Sequence, residues 1–308
     1  MKKIGIIGVG NVGATVAHVV MKQGLVSQLV LLDKKMDKAR SEVIDLLDAR
    51  SLFSTTTHVS VGDYKDMADA DIIISALGHI DLLASDADRF VELKMNAPEV
   101  KQVAKDLKNV GFKGILLVIT NPCDAMTELY YKQLDLPHQQ VIGTGTLLDT
   151  SRMKNYVTEA LQVDPRSVTG YVLGEHGDSQ FVCWSSVSIG GKSIFDFEKE
   201  RNLDLDDIES RGRMSGYHVH AGKGYTNVAI AEATACILEA LINDSHSVLP
   251  VSHYHDEFKS YLSTPAIIGK NGVVAKVHIS LSEKEKEQLQ KSAEEIKEKS
   301  EKFSEAKR

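Results

Sequence analysis

The sequence predicts an α/β protein: a doubly wound parallel sheet followed by an α+β half. Three observations carry this. Short runs of branched apolar residues alternate with helical patterns through the first 143 residues. A Gly-x-Gly-x-x-Gly run, GVGNVG, directly follows the first apolar run and opens the first helical pattern. Beyond residue 144 the pattern changes to long helices and strands joined by tight turns such as GGK at 190–192.

The first strand spans 3–7, IGII giving it a continuous apolar core. A helix follows over 12–22, a strand over 29–32 and a helix over 36–52. Further strands fall at 58–61, 71–76, 115–120 and 140–142, with helices at 89–109 and 123–134. Strands that are nearly all apolar suit a parallel sheet covered on both faces. The second half opens with a helix over 147–161, then strands at 168–173 and 181–188. Long helices follow at 204–221 and 226–243, and strands at 247–254, 265–268 and 272–279. The last helix has a start signal, Ser282 followed by Glu285 at capping-box spacing. Its apolar stripe is Leu289, Ala293, Ile296 and Phe303. No Pro/Ser-rich linker separates the halves, so 1–143 and 144–308 are expected to share a broad interface.

The 308 residues are 43% hydrophobic and 26% charged, enough to bury cores without staples. A formal charge of −7 is a poor match for nucleic-acid or membrane-surface binding, which needs a basic face. Three widely spaced cysteines form no CxxC pair or zinc spacing and suit a reducing, cytoplasmic setting. Neither HVH at 218–220 nor HYH at 253–255 has an evident third ligand, so no metal is expected.

GVGNVG supplies Gly8, Gly10 and Gly13, with Asn11 and Val12 between them. Its place between strand and helix makes it a dinucleotide-binding signature of the Rossmann type. The first glycine permits the tight turn, the second lets a pyrophosphate approach, and the third lets helix and strand pack closely. Asp33 ends the second strand, where a carboxylate accepts ribose hydroxyls and repels a 2′-phosphate. The expected cofactor is NAD rather than NADP, although Lys34 and Lys35 soften the exclusion. Gly78, after the fourth strand, lies at the same edge.

Hydride chemistry also needs a proton partner. His176 lies in GEHGDS, and the flanking glycines allow close approach of a ligand. A lone histidine is more often a satisfied structural residue than a catalyst, and the flanking glycines are what shift the balance here. Asp149 and Arg152, in GTGTLLDTSR, stand three apart on a helix, as an ion pair or as a site. Asn121 closes the fifth strand in ITNP. Together with KGYT at 223–226, these motifs occur in the order and approximate spacing of the L-2-hydroxy-acid dehydrogenases, which include the lactate and malate dehydrogenases. The chain resembles that family along essentially its whole length. GHI after the fourth strand and DRF before the next helix are most like its L-2-hydroxyisocaproate dehydrogenase branch.

The resemblance implies interconversion of 2-keto and L-2-hydroxy acids, and a set of roles. His176 would be the acid/base and Asp149 its orienting partner. Arg152 would clamp the substrate carboxylate. Arg89 would polarise the carbonyl from a mobile loop, with Asn121 near the reacting oxygen. Thr226 and Ile230 would line the side-chain pocket and nicotinamide face. A homo-oligomer, dimer or tetramer, is also implied.

The loop SALGHIDLLASDADRF, 75–90, is about two residues longer from Gly78 to Arg89 than is typical of lactate dehydrogenases. Residues 79–88 contain no Lys or Arg, while Asp81, Asp86 and Asp88 would repel the second carboxylate of oxaloacetate. Leu82 and Leu83 offer apolar contact to a larger side chain. The expected substrate is therefore a branched aliphatic acid such as 2-ketoisocaproate, with pyruvate as the alternative. A silent NAD-binding protein is the rival of another class.

Overall fold

The computed structural model describes residues 2–78 and 89–305; the side chains of 89–91 and 301–305 lie outside it, as do residues 79–88 entirely. Strands β1 (Lys3–Ile7), β2 (Gln28–Leu32), β3 (His58–Val61), β4 (Ile72–Ser75), β5 (Ile115–Val118) and β6 (Val141–Gly143) form the parallel part of one sheet in the order β3-β2-β1-β4-β5-β6. The order reverses between β1 and β4, and ligands of such sheets bind beyond the strand C-termini at that point. Helices α1 (Asn11–Gln23), α2 (Met36–Arg50), α3 (Arg89–Asn109) and α4 (Cys123–Gln133) make the crossovers. Every residue of β4 and β5 is buried, as in strands covered on both faces.

The halves are joined more closely than a shared interface. Helix α5 (Leu147–Leu161) leaves the sheet. The short strands β7 (Val168–Thr169), β8 (Val172–Leu173), β9 (Phe181–Val182), β10 (Ser188–Ile189) and β11 (Lys192–Ser193) form two small sheets beside it. Helices α6 (Ile194–Arg201), α7 (Leu205–Lys223) and α8 (Val228–Asn243) follow. Strands β12 (Ser247–His255), β13 (Ser260–Gly269) and β14 (Gly272–Lys276) then return antiparallel to β6, completing nine strands. α8 lies against α1, so one apolar cluster runs from Ile4 and Val16 to Ile237 and Ile268.

Three expectations change. The strand expected over 168–173 breaks at Gly170, whose φ of +118° leaves extended geometry. The strand expected over 181–188 is interrupted by a 3₁₀ turn at Trp184–Ser186. β13 begins five residues earlier than its apolar run, because Ser260, Ser263 and Thr264 bond to Glu128, Asp124 and the His253/His255 pair. The final helix, α9 (Glu283–Glu305), carries the expected box: Ser282 N–H donates to Glu285 Oε2 at 2.7 Å, and Glu285 N–H to Ser282 Oγ at 3.3 Å. Its Leu289, Ala293 and Ile296 are buried; Phe303 falls outside the described side chains.

Candidate active site

The three glycines after β1 differ in what surrounds them. Gly8 has φ of +91°, a turn closed to most L side chains. A Cβ on Gly13 would lie 2.0 Å from the Gly8 carbonyl oxygen, so only glycine lets α1 pack this close to the loop. A Cβ on Gly10 would meet no atom of the described residues within 4 Å. The space is therefore open where a pyrophosphate would approach the first N–H groups of α1 at Asn11, Val12 and Gly13.

Asp33 stands at the end of β2. Its Oδ2 accepts from Val9 N–H and its Oδ1 from Lys35 N–H, both at 2.9 Å. These bonds tie the carboxylate to the glycine loop and leave lone pairs for two ribose hydroxyls. Lys34 turns away to Glu99 at 2.5 Å, so one of the two lysines that could have attracted a 2′-phosphate already has a carboxylate. Gly78 is exposed at the neighbouring strand end with open space around it. Open room at Gly10 and a braced carboxylate at Asp33 fit an adenine dinucleotide.

The second cluster gathers on α5 and the loop after β8. Asp149 is nearly sealed, with a side chain 1% exposed. Its Oδ2 meets His176 Nδ1 at 2.5 Å, and its Oδ1 accepts from Arg152 Nη1 at 2.9 Å. One carboxylate thus joins both groups. The structural reading of the Asp149–Arg152 spacing holds: the ion pair forms, and it uses one of five guanidinium donors. His176 Nε2 has no hydrogen-bond partner among the described residues. Two threonines of GTGTLLDT fix the distance. Thr146 Oγ1 donates to Val172 O at 2.6 Å, and Val172 N–H donates to Thr150 Oγ1 at 2.9 Å, pinning β8 to α5.

Two residues unnoticed in the sequence complete the cluster. Gly216, in α7, faces Arg152: a Cβ there would lie 2.8 Å from Nη2. Asp124, 1% exposed in the first turn of α4, accepts from the His176 backbone N–H at 2.8 Å. A glycine inside a helical pattern was the only hint of the first. The acidic residue three places after Asn121 was the hint of the second.

Asn121, before the cis peptide to Pro122, stands three residues past β5, which ends at Val118 rather than at 120; its carbonyl accepts from Asn96 Nδ2 at 2.7 Å and its own amide bonds no described residue. Thr226 lies half-buried before α8, where Asn227 Nδ2 donates to Thr15 Oγ1 of α1 at 2.8 Å. Ile230 is 9% exposed and belongs mainly to the core between the halves. Arg89 is the first residue of α3, and its side chain lies outside the description. Leu82 and Leu83 lie outside the described residues.

Residues 2–143 match the family model of the lactate/malate dehydrogenase NAD-binding domain, and residues 146–307 that of the lactate/malate dehydrogenase alpha/beta C-terminal domain. The chain belongs to the lactate/malate dehydrogenase family. Relatives include L-lactate dehydrogenase 1 of Bifidobacterium longum, 37% identical over 96% of both chains. L-lactate dehydrogenase 3 of Bacillus anthracis is 38% identical over 94% of both. Among solved structures, the minor L-lactate dehydrogenase of Enterococcus mundtii superposes with a TM-score of 0.93 at 34% identity, covering 98% of each chain. A lactate dehydrogenase from a Medee basin deep-sea metagenome library gives 0.92 at 34%, covering 98% of this chain and 99% of that one. This member of the lactate/malate dehydrogenases is an NAD-dependent L-2-hydroxy-acid dehydrogenase.

Proposed function

We propose that this dehydrogenase acts mainly on pyruvate and L-lactate. The observation that carries the chemistry is the single buried carboxylate of Asp149 holding both His176 and Arg152. The side-chain preference is supported by the relatives, which bear the name L-lactate dehydrogenase. They favour pyruvate over the branched-chain expectation, which rests on the sequence of 79–88 and on the likeness of GHI and DRF.

When bound, NAD would supply the chemistry of hydride transfer to or from C2 of the acid. Gly8, Gly10, Gly13 and the α1 N–H groups of Asn11 and Val12 hold the pyrophosphate. Asp33 holds the ribose, and Gly78 and Asn121 flank the nicotinamide end. Arg152 holds the substrate carboxylate through the guanidinium edge that Asp149 does not use. His176 donates its Nε2 proton to the keto oxygen in reduction and recovers it in oxidation. Asp149 accepts from Nδ1–H, which fixes the ring and faces the charge it carries. Arg89 and Asn121 act on the carbonyl; Thr226 and Ile230 line the pocket.

The cofactor half is 1–143 and the substrate half 144–308. A homo-oligomer is part of this reading. It is supported by exposed apolar side chains on α2, with Ile44 59% exposed, and on α7, with Tyr217 56% exposed. A cytoplasmic setting accords with three free cysteines; no described helix is long and apolar enough to cross a membrane.

The test is kcat/KM with NADH for pyruvate, 2-ketoisocaproate and oxaloacetate. Pyruvate is expected highest and oxaloacetate lowest. A branched acid on top would restore the reading from the loop leucines; oxaloacetate on top would defeat both.

A further inference from the structure

We propose that Asp124 is a positioning residue whose buried charge serves the proton chemistry of His176 rather than the fold. The proposal rests on the reading of His176 as the acid/base. Asp124 belongs to α4, yet its bonds leave that helix. Oδ2 accepts from His176 N–H at 2.8 Å, and Oδ1 from Ser263 Oγ of β13 at 3.4 Å. The loop it holds is clamped on its other sides too. Gly174 and Ser263 exchange backbone bonds at 3.0 and 2.9 Å, and Glu175 N–H donates to Ser292 Oγ of α9 at 2.7 Å. Glu175 is itself paired with Lys299 of α9 at 2.7 Å and accepts from Ser179. His176 therefore sits between two carboxylates: Asp149 at its ring, neutralised in part by Arg152, and Asp124 at its main chain.

Those hydrogen bonds do not need a charge. An asparagine of the same shape has a carbonyl oxygen for the His176 N–H and an amide for Ser263 Oγ. What only an aspartate adds is the negative charge, and burial makes that costly. Burial pushes the Asp124 carboxyl up to about 6, opposed by the Ser252 hydroxyl of β12 and the His176 N–H; Glu175 raises it further and His176 lowers it. Cys123 beside it is pushed up to about 12, by burial first and by Asp124 second.

The sign follows. A carboxyl whose folded value lies above its ordinary one stabilises the fold fully below about 4, the ordinary range. It loses that contribution as the pH rises through about 6. At neutral pH the charge on Asp124 thus works against the fold, while the same charge favours the protonated imidazole that reduction requires.

Asp124→Asn separates the two roles, with His176→Ala as reference. In the Asn variant, the pH at which kcat/KM for keto-acid reduction falls should move down by about one unit or more, the range for an opposite charge nearby. Its thermal midpoint at pH 8 should equal or exceed that of wild type, with the difference in its favour growing from pH 4 to pH 8. An unmoved pH limb overturns the proposal. So does an Asn variant that is less stable at pH 8 or fails to fold, since the charge would then belong to structure. An active His176→Ala would instead refute the acid/base reading, and the pH-dependent difference in stability would still report on the buried charge.

Discussion

His176→Ala should leave NADH binding near that of wild type and lower kcat by about 10²–10⁴-fold, the usual weight of general acid catalysis. Fluorescence titration with NADH and steady-state kinetics read the two effects separately. A subtler test concerns Gly216. The atom nearest its missing Cβ is the tip of a flexible arginine, so Gly216→Ala should fold normally by displacing the Arg152 guanidinium. Charge-assisted bonds to the substrate carboxylate contribute about 1.5–3 kcal/mol, so KM for the keto acid should rise roughly tenfold or more. An unchanged KM would mean that Arg152 serves only as the ion-pair partner of Asp149. His176, Asp149 and Arg152 were legible in the sequence because each sits in a compact motif with its neighbours. Asp124 and Gly216 were not: one gains its meaning from a loop 52 residues away, the other from a side chain on a different helix.

The turn from β1 into α1 makes opposite predictions for two glycines of one motif. Gly10→Ala should leave stability unchanged, because its Cβ would meet no atom of the described residues within 4 Å, but should weaken NADH binding. Gly13→Ala should do the reverse in order of severity. A Cβ 2.0 Å from a backbone oxygen forces α1 off the loop, and overpacking of this kind costs about 1–3 kcal/mol. Thermal midpoints and NADH titrations of both variants check the pair. If Gly10→Ala bound NADH normally, the open space would not be the pyrophosphate site. Elements with a strict apolar period were read closely: α3 and α5 begin and end where the pattern does. β13 was read short because its first residues are polar and buried, satisfied by partners far away in sequence. α6 was missed because only Ile194 of its eight residues is buried, leaving no stripe to recognise.

The nine-stranded sheet ties the cofactor strands to β12 and β13, and an acid-sensitive pair lies in that junction. His253 and His255 stack at 4.3 Å and both reach Thr264 Oγ1, at 3.0 and 3.3 Å. Burial draws His253 down to about 4 and His255 to about 2, the latter also through His253 and Lys276. Both groups favour the neutral ring in the fold. Their contribution is complete above about pH 6.5 and is lost as the pH falls toward 4, by up to about 1.4 kcal/mol per unit for each group. Denaturant midpoints between pH 7 and pH 4 should therefore fall, and His253→Gln should flatten the decline; an equally steep decline would acquit the pair. Doubly wound topology was legible because most of the parallel strands, β5 above all, are runs of branched apolar residues alternating with helical patterns. The continuity of the sheet across both halves was not, since it depends on where β12 docks against Gly143.

The account stands on His176 as the group that gives and takes the proton. The measurement that reaches this most directly is kcat/KM against pH in both directions, with NADH and pyruvate and with NAD and L-lactate. Reduction should weaken as the pH rises and the ring loses its proton, while oxidation should strengthen over the same region. Two profiles that are flat, or that slope the same way, would contradict it.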